Sequence, residues 1–174
     1  KPTSPFSPLD KFMLDQYIMS GGKIVFLIDK LEASMDSASR EDYFALPYDL
    51  NLDDQLFKYG VRLNLDLIQD RTAGFYPVIT GQQGGKPQVK LMDWPFFPLL
   101  NHDPTHPITR NLDAVITKFV SSIDTVKAEG VRKTPLLLTS QYSRTMTSPV
   151  KVSVNDLRKR LREEDFTSGF IPVG

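Results

Sequence analysis

The residues best suited to chemistry in this chain follow two short apolar runs, where buried strands are expected to end. Asp29 comes directly after IVFLI, and Ser140, Tyr142, Ser143 and Arg144 follow LLLT. If the two runs are parallel strands of one sheet, these side chains meet at the edge where open α/β sheets bind ligands. An acid, hydroxyls and a guanidinium would suit a carboxylate or phosphate ligand there. Alternatively, Asp29 caps the next turn and Arg144 pairs with a surface acid; this structural interpretation is favoured, because strand ends need capping.

Other catalytic and metal-binding patterns are absent or weak. The sequence contains no cysteine, which excludes disulfides, thiol nucleophiles and cysteine-based metal sites. There is no G-x-S-x-G elbow, and Lys86 of TGQQGGKP precedes a proline instead of the Ser or Thr of a phosphate-binding loop. His102 and His106 lie four residues apart, but the prolines beside them exclude a helix, so a surface loop is predicted instead of a metal site. We therefore predict no catalytic residue, no metal and no cofactor.

The densest aromatic cluster lies in the segment WPFFPLL. Trp94, Phe96 and Phe97 stand next to two prolines, which predicts a rigid aromatic loop. Buried, this loop would cover one edge of the core; exposed, it would be a protein-binding patch of the kind that hot spots favour. We expect it to be mostly buried, with some aromatic surface left for a partner.

Composition limits the class of protein. The chain has 174 residues, enough for one domain, and its 40% hydrophobic content is typical of a folded protein. Lys and Arg number 21 against 21 for Asp and Glu, so a nucleic-acid partner is not predicted. No apolar run approaches the roughly 18 residues of a membrane span. Because the chain starts at Lys1 without an initiator Met, we interpret residues 1–174 as a domain excised from a longer protein.

The elements that must position these groups begin with a helix, a turn and a strand. Ser7 and Pro8 suit a helix start, and the apolar face that follows suits a helix lying on a sheet. Gly21 and Gly22 end the helix, and they precede a strand instead of following one, which indicates a structural turn and not a phosphate cradle. The run IVFLI does not alternate, which favours a strand buried on both faces of a largely parallel sheet.

The later segments complete the predicted fold. They comprise a short helix QLFKY ending at Gly60, strands at 61–65, 116–123 and 136–139, an antiparallel hairpin at 75–92, and a charged surface helix DLRKRLREE. Together these elements predict a single α/β domain with three layers, a mostly parallel sheet and one antiparallel hairpin.

Six segments in series resemble a known family. LDQYIMSGGKIVFLID, LNLDDQLFKYGVRLNLDLIQD, WPFFPLL, HPITRNLDAV, FVSSIDTV and LLLTSQYSR occur in the order found in the gliding-motility auxiliary ABC-transporter proteins, the GldG family. The resemblance covers essentially the whole chain. It implies a Rossmann-like domain akin to the class I glutamine amidotransferases. It also implies a place on the periplasmic face of the inner membrane, in a longer protein whose membrane helices lie outside this chain.

The function implied by this resemblance is a non-catalytic binding or scaffold domain. Its partners would be the ABC permease and ATPase subunits or other envelope proteins, and the family offers no catalytic residue to carry over. Without a cysteine the thioester chemistry of the amidotransferases is excluded. Two alternatives stay open: a hydrolase or carbohydrate-active enzyme using Asp29 and residues 140–144, and a small-molecule binding domain that delivers substrate to the transporter.

Overall fold

The computed structural model describes residues 1–38, 43–158 and 161–174. The helices are α1 (Pro8–Met19), α2 (Met35–Ala38) and α3 (Asp53–Lys58), with 3₁₀ segments at Val154–Arg158 and Glu163–Asp165. The strands are β1 (Phe44–Ala45), β2 (Val61–Leu63), β3 (Asp66–Asp70), β4 (Ala73–Gln83), β5 (Lys86–His102), β6 (Val115–Ile116), β7 (Ile123–Thr125), β8 (Leu137–Leu138), β9 (Ser143–Thr147) and β10 (Val150–Lys151). Across the described ranges every strand pairing is antiparallel.

The strands form small sheets. β1 pairs with β10, β2 with β7 and β3 with β9, while β5 pairs with β4, β6 and β8. The predicted three-layer, Rossmann-like and amidotransferase-like fold with a mostly parallel sheet is therefore wrong. Parallel neighbours need crossover connections of a dozen or more residues, usually helical. Among the helices of the described residues, α1 alone, with 12 residues, approaches that length, since α2 and α3 have 4 and 6.

The apolar run IVFLI, predicted as a central strand, belongs to none of these sheets. Residues 24–28 form no strand pairing with the rest of the described chain, and their side chains alternate between half-buried and exposed. The unbroken apolar run predicted a strand buried on both faces. Such burial requires strands on either side, and an apolar run by itself does not specify which other segments pair with it.

The hairpin predicted at 75–92 is present and longer than expected. β4 and β5 pair from Ala73↔Pro98 to Gln83↔Lys86. Gly84 and Gly85 form the turn with φ of +60° and +77°, the left-handed values that a two-residue hairpin turn requires.

WPFFPLL lies inside β5 and is not the predicted loop. The pairing jumps from Phe75↔Asp93 to Ala73↔Pro98, so no residue of β4 is paired with positions 94–97. Proline has no backbone N–H, but Pro95 lies in this irregular stretch, so no hydrogen bond between β4 and β5 is lost there.

The core is built around the single tryptophan. The Trp94 ring centroid lies 4.8 Å from that of Phe97 and 5.4 Å from that of Phe119. The backbone N–H of Phe119 donates to Phe96 O, and Ile68 N–H donates to Val120 O, so this segment joins β5 to β3. The strand predicted at 116–123 is present only at its two ends, because Phe119 adopts a left-handed φ of 53° that interrupts extended backbone.

The predicted helix α1 and its caps are confirmed, but the predicted packing of its apolar face on a sheet is wrong, since no residue of α1 is buried. The Ser7 hydroxyl and the Ser7 N–H both donate to the Asp10 carboxylate, which lowers the pKa of Asp10. Asp10 N–H in turn donates to Ser7 Oγ, which completes a capping box. Gly21, with φ of +86°, ends the helix. The polar edge of α1 faces α3, where Lys11 pairs with Asp54.

The predicted C-terminal surface helix is replaced by the two 3₁₀ segments. Residues 159 and 160, in the middle of that predicted helix, lie outside the described residues. In the part of the chain that the structure describes, no helix combines the length and hydropathy that a membrane crossing requires.

Candidate functional site

A cleft of about 370 Å³ opens between β3, β5, β9 and the first 3₁₀ segment. Gln69 and Arg71 come from β3 and the residues after it, Trp94 comes from β5, and Arg144 comes from β9. Phe166, at the end of the second 3₁₀ segment, closes one side. The cleft thus combines guanidinium groups with an aromatic floor.

Arg144 is the best-oriented cation of the cleft. It is the cross-strand partner of Gln69 in the β3–β9 pair, and its Nε donates to Gln69 Oε1 at 2.8 Å. Its guanidinium carbon lies 5.4 Å from the ring centroid of Phe166, within cation–π range. Among the described residues Arg144 forms no ion pair, so its half-buried charge is held by a neutral amide and a ring.

The second guanidinium, Arg71, is already neutralised. It forms an ion pair with Glu163 and lies 5.7 Å from the ring centroid of Tyr142. Asp93, Lys151 and Asp156 also line the cleft, so its wall carries charges of both signs. Arg144 is therefore the group that distinguishes this cleft electrostatically.

The two predicted serines serve the fold. Ser140 donates through both N–H and Oγ to the Asp70 carboxylate, each at 2.6 Å. Ser143 is buried; its Oγ donates to Gly169 O and accepts from Thr139 Oγ1. Both hydroxyls are therefore used in hydrogen bonds within the fold.

Asp29 lies apart from the LLLT segment. Its carboxylate accepts from the Lys1 ammonium at 2.6 Å, and it is close to Tyr48, whose pKa is raised mainly by burial with smaller contributions from neighbouring charges including Asp29. No hydrogen bond or ion pair in the described ranges joins it to Arg144. The predicted shared crevice therefore does not form, because IVFLI and LLLT are not neighbouring strands.

The aromatic candidates are in the core. Trp94 and Phe96 are each 1% exposed and Phe97 is 2% exposed. Trp94 and Phe96 line the cleft, while Phe97 packs against the rings of Trp94 and of Tyr76 in β4. Their role in contacting a partner stays a prediction.

Sequence reasoning missed the polar residues of β3. The strand DLIQD is buried at all five positions, yet three of them are polar. Asp66 accepts from Ser122 N–H at 2.8 Å and from Ser122 Oγ at 2.6 Å, the same arrangement that Ser140 forms with Asp70. The sequence did contain a signal, because Asp66 and Asp70 lie four residues apart in a strand that also carries the apolar Leu67 and Ile68. Their partners Ser122 and Ser140 are distant in sequence and could be identified only from the fold.

The two histidines are not in one loop, since His102 ends β5 opposite Leu137 and only His106 lies in the loop that follows. That loop uses its polar groups internally. The Asp103 carboxylate accepts from Thr105 N–H and Oγ1, which lowers the pKa of Asp103. His106 Nδ1 accepts from Ile108 N–H at 3.3 Å. Over the described residues no group of three or more potential ligands is placed to hold a metal ion.

Comparison with known proteins gives one match. A family model described as an ABC-type uncharacterized transport system matches residues 1–174. No curated protein and no solved structure matches the chain. The match supports the ABC-transporter auxiliary family as a whole and does not single out its gliding-motility members. Because the match covers the entire chain, the protein belongs to this family of auxiliary components of ABC transport systems.

Proposed function

We propose that this chain is a non-catalytic binding domain of an ABC-transport auxiliary protein, and that its cleft receives an anionic group of a ligand or partner. The observation that carries the proposal is the half-buried Arg144, which has a fixed position and no carboxylate partner among the described residues. A charge in such a position is stabilised by an anion that reaches it.

The geometry around Arg144 favours a planar, two-oxygen anion. Of the five N–H donors of the Arg144 guanidinium, Nε–H is the one with a hydrogen-bond partner among the described residues, namely Gln69. Stacking on Phe166 keeps the guanidinium oriented, so less side-chain entropy is lost when an anion binds. A carboxylate or phosphate would use the remaining N–H groups.

The floor of the cleft indicates the rest of the ligand. Met146 and Leu161, both half-buried, supply apolar surface beside the guanidinium, and the buried rings of Trp94 and Phe96 lie beneath it. A compound or peptide side chain with an apolar body and a terminal anion would match both parts. The small-molecule delivery role is therefore the second candidate function, since the same cleft serves it.

Binding is favoured over hydrolysis. The hydrolase alternative relied on Asp29 and the serines after LLLT. Asp29 pairs with Lys1, and the hydroxyls of Ser140 and Ser143 are used in buried hydrogen bonds. An auxiliary transport component is consistent with a binding role.

The proposal includes a location and partners. We assign the domain to the periplasmic face of the inner membrane, within a longer membrane-anchored protein that works with an ABC permease and ATPase, of the gliding-motility type. The support for these finer points is the series of six sequence segments that resemble the GldG family. Binding at the cleft would then be communicated to the permease.

The test is a titration of the protein with phenyl phosphate, which has an aromatic body and a phosphate. Binding is monitored by the NMR chemical shifts of the backbone amides and of the Trp94 indole. We expect saturable shifts at the Trp94 indole and at β9 in the wild type. Arg144→Gln should weaken binding at least tenfold, because it removes the charge that the phosphate meets. Arg144→Lys should give an intermediate affinity, since it keeps the charge and loses the planar fork.

The matched control is Arg62→Gln. Arg62 is exposed and pairs with Asp124 outside the cleft, so its loss should leave the affinity unchanged. Benzyl alcohol lacks the anionic group, so its titration should not give saturable chemical-shift changes. Equal affinity of a folded Arg144→Gln protein and the wild type would contradict the proposal.

A further inference from the structure

The segment formed by residues 8–28, here called the N-terminal unit, is apolar on faces that the structure leaves uncovered. None of the residues in α1 is buried. More than half of each of its large outward side chains is exposed: Leu9, Phe12, Met13, Tyr17 and Met19. The opposite edge already contacts α3 through Lys11 and Asp15. A helix that is apolar on nearly every side is typical of a buried helix.

The segment after α1 has the properties of an unpaired strand. Exposed Val25 (84%) and Leu27 alternate with half-buried Ile24, Phe26 and Ile28, as side chains do along a strand. Among the residues that the structure describes, no backbone group is hydrogen-bonded to positions 23–28. Free N–H and C=O groups in an apolar segment form an edge ready for another strand.

The sequence of this segment is complementary to itself in one orientation. If two copies of KIVFLID pair antiparallel about Phe26, Lys23 faces Asp29, and the residues between them match apolar to apolar. Parallel pairing in register would instead place like charges together, which is destabilising. Lys23 forms no ion pair in the described ranges, and Asp29 has only the solvent-accessible Lys1. Charge thus selects the antiparallel arrangement.

We propose that the N-terminal unit is a homotypic interface through which two copies of this chain pair antiparallel about a two-fold axis at Phe26. Such an interface is isologous, so Lys23 of each copy meets Asp29 of the other. The exposed apolar side chains of α1 and of residues 25 and 27 together present at most on the order of 800 Å² per chain, which is the share that each partner gives to a standard stable interface. This inference goes beyond ligand binding at the cleft and does not depend on it.

Sedimentation velocity of the full chain from about 5 to 200 µM tests the proposal. We expect a concentration-dependent dimer for the wild type. Lys23→Asp should weaken it at least tenfold, because two ion pairs become two like-charge contacts. The double variant Lys23→Asp with Asp29→Lys should restore it. Lys127→Asp changes the same charge on an exposed lysine outside the unit and should leave dimerisation unchanged.

Hydrogen exchange identifies the contact. Amides 24–28 should become protected as concentration rises, and Val25→Pro should abolish the dimer, since proline cannot donate to the ladder. A wild type that is monomeric at 200 µM would overturn the proposal. A dimer that persists in Lys23→Asp, or a monomer that binds another transport component through residues 23–28, would also overturn it.

Discussion

At the scale of single residues, two serine–aspartate contacts position β3 in the core. Asp70 is fully buried, and its carboxylate accepts from the N–H and Oγ of Ser140 and from the N–H of Thr72. Removing one partner of a buried charged acceptor costs more than a typical hydrogen bond, because the acceptor stays desolvated. These contacts connect β3 to the segment that leads into β9, which carries Arg144.

Ser140→Ala should lower the free energy of unfolding by about 1.5–3 kcal/mol, because Asp70 loses the Oγ donor inside the core. Urea unfolding followed by the fluorescence of Trp94 measures this change. Ser168→Ala is the control, since Ser168 is exposed and its hydroxyl has no partner in the described chain; a change within about 0.5 kcal/mol is expected. Equal stability of the two variants would show that the Ser140–Asp70 contact contributes nothing.

At the scale of elements, the β4–β5 hairpin has two unlike faces. Val78 is 8% exposed and packs in the core cluster, whereas its neighbour Ile79 is 63% exposed and lies opposite Val89. One outer face therefore carries an apolar stripe, formed by Phe75, Ile79, Val89 and Leu91. Cross-strand contacts between β-branched side chains stabilise such a stripe in solvent.

These neighbouring positions give a matched test of the register. Val78→Ala should cost about 2 kcal/mol, because it removes buried methyl groups and leaves a cavity. Ile79→Thr should stay within about 0.5 kcal/mol, since the side chain is exposed and threonine remains a good strand former. Chemical denaturation of both variants measures the difference. A larger loss for Ile79→Thr than for Val78→Ala would mean that the two faces are assigned the wrong way round.

Local signals predicted elements better than they predicted pairings. The capping box at Ser7 and the paired glycines at 84–85 each act within a few residues, so α1 and the hairpin could be predicted from the sequence. By contrast, IVFLI and WPFFPLL were assigned incorrectly because their environment depends on distant strands. The same holds for the candidate site. Arg144 could be identified from its residue type, but its partner Gln69 is set by the register between β3 and β9, which the sequence does not show.

At the scale of the whole molecule, the core lies entirely after the N-terminal unit. The buried apolar cluster runs along the chain from Leu31 to Leu157 and includes no residue before Leu31. The first 29 residues contact the rest of the chain through hydrogen bonds, such as that from Phe6 N–H to Leu50 O, and through half-buried apolar side chains such as Phe26. The unit therefore contributes no residue to the buried apolar cluster.

A protein consisting of residues 30–174 should accordingly remain folded. We expect the emission maximum of Trp94 to match that of the full chain, because the rings packed around Trp94 are all retained. Cooperative unfolding in urea, with a moderately lower midpoint, is the second expected result. Red-shifted emission without a cooperative transition would show that residues 1–29 are required for folding.

The length of β5 has a consequence for reach. Its 17 residues extend about 50 Å. A compact domain of this chain length has a radius of gyration of about 16 Å, so the strand is about three times as long as that radius. The turn at Gly84–Gly85 therefore stands about 25 Å along the strand from Asp93 at the cleft. The apolar stripe lies between the turn and the cleft, since Phe75 is paired with Asp93 and Val89 is four residues from it. A neighbour that rests on the stripe would therefore lie within about 13 Å of the cleft along β5.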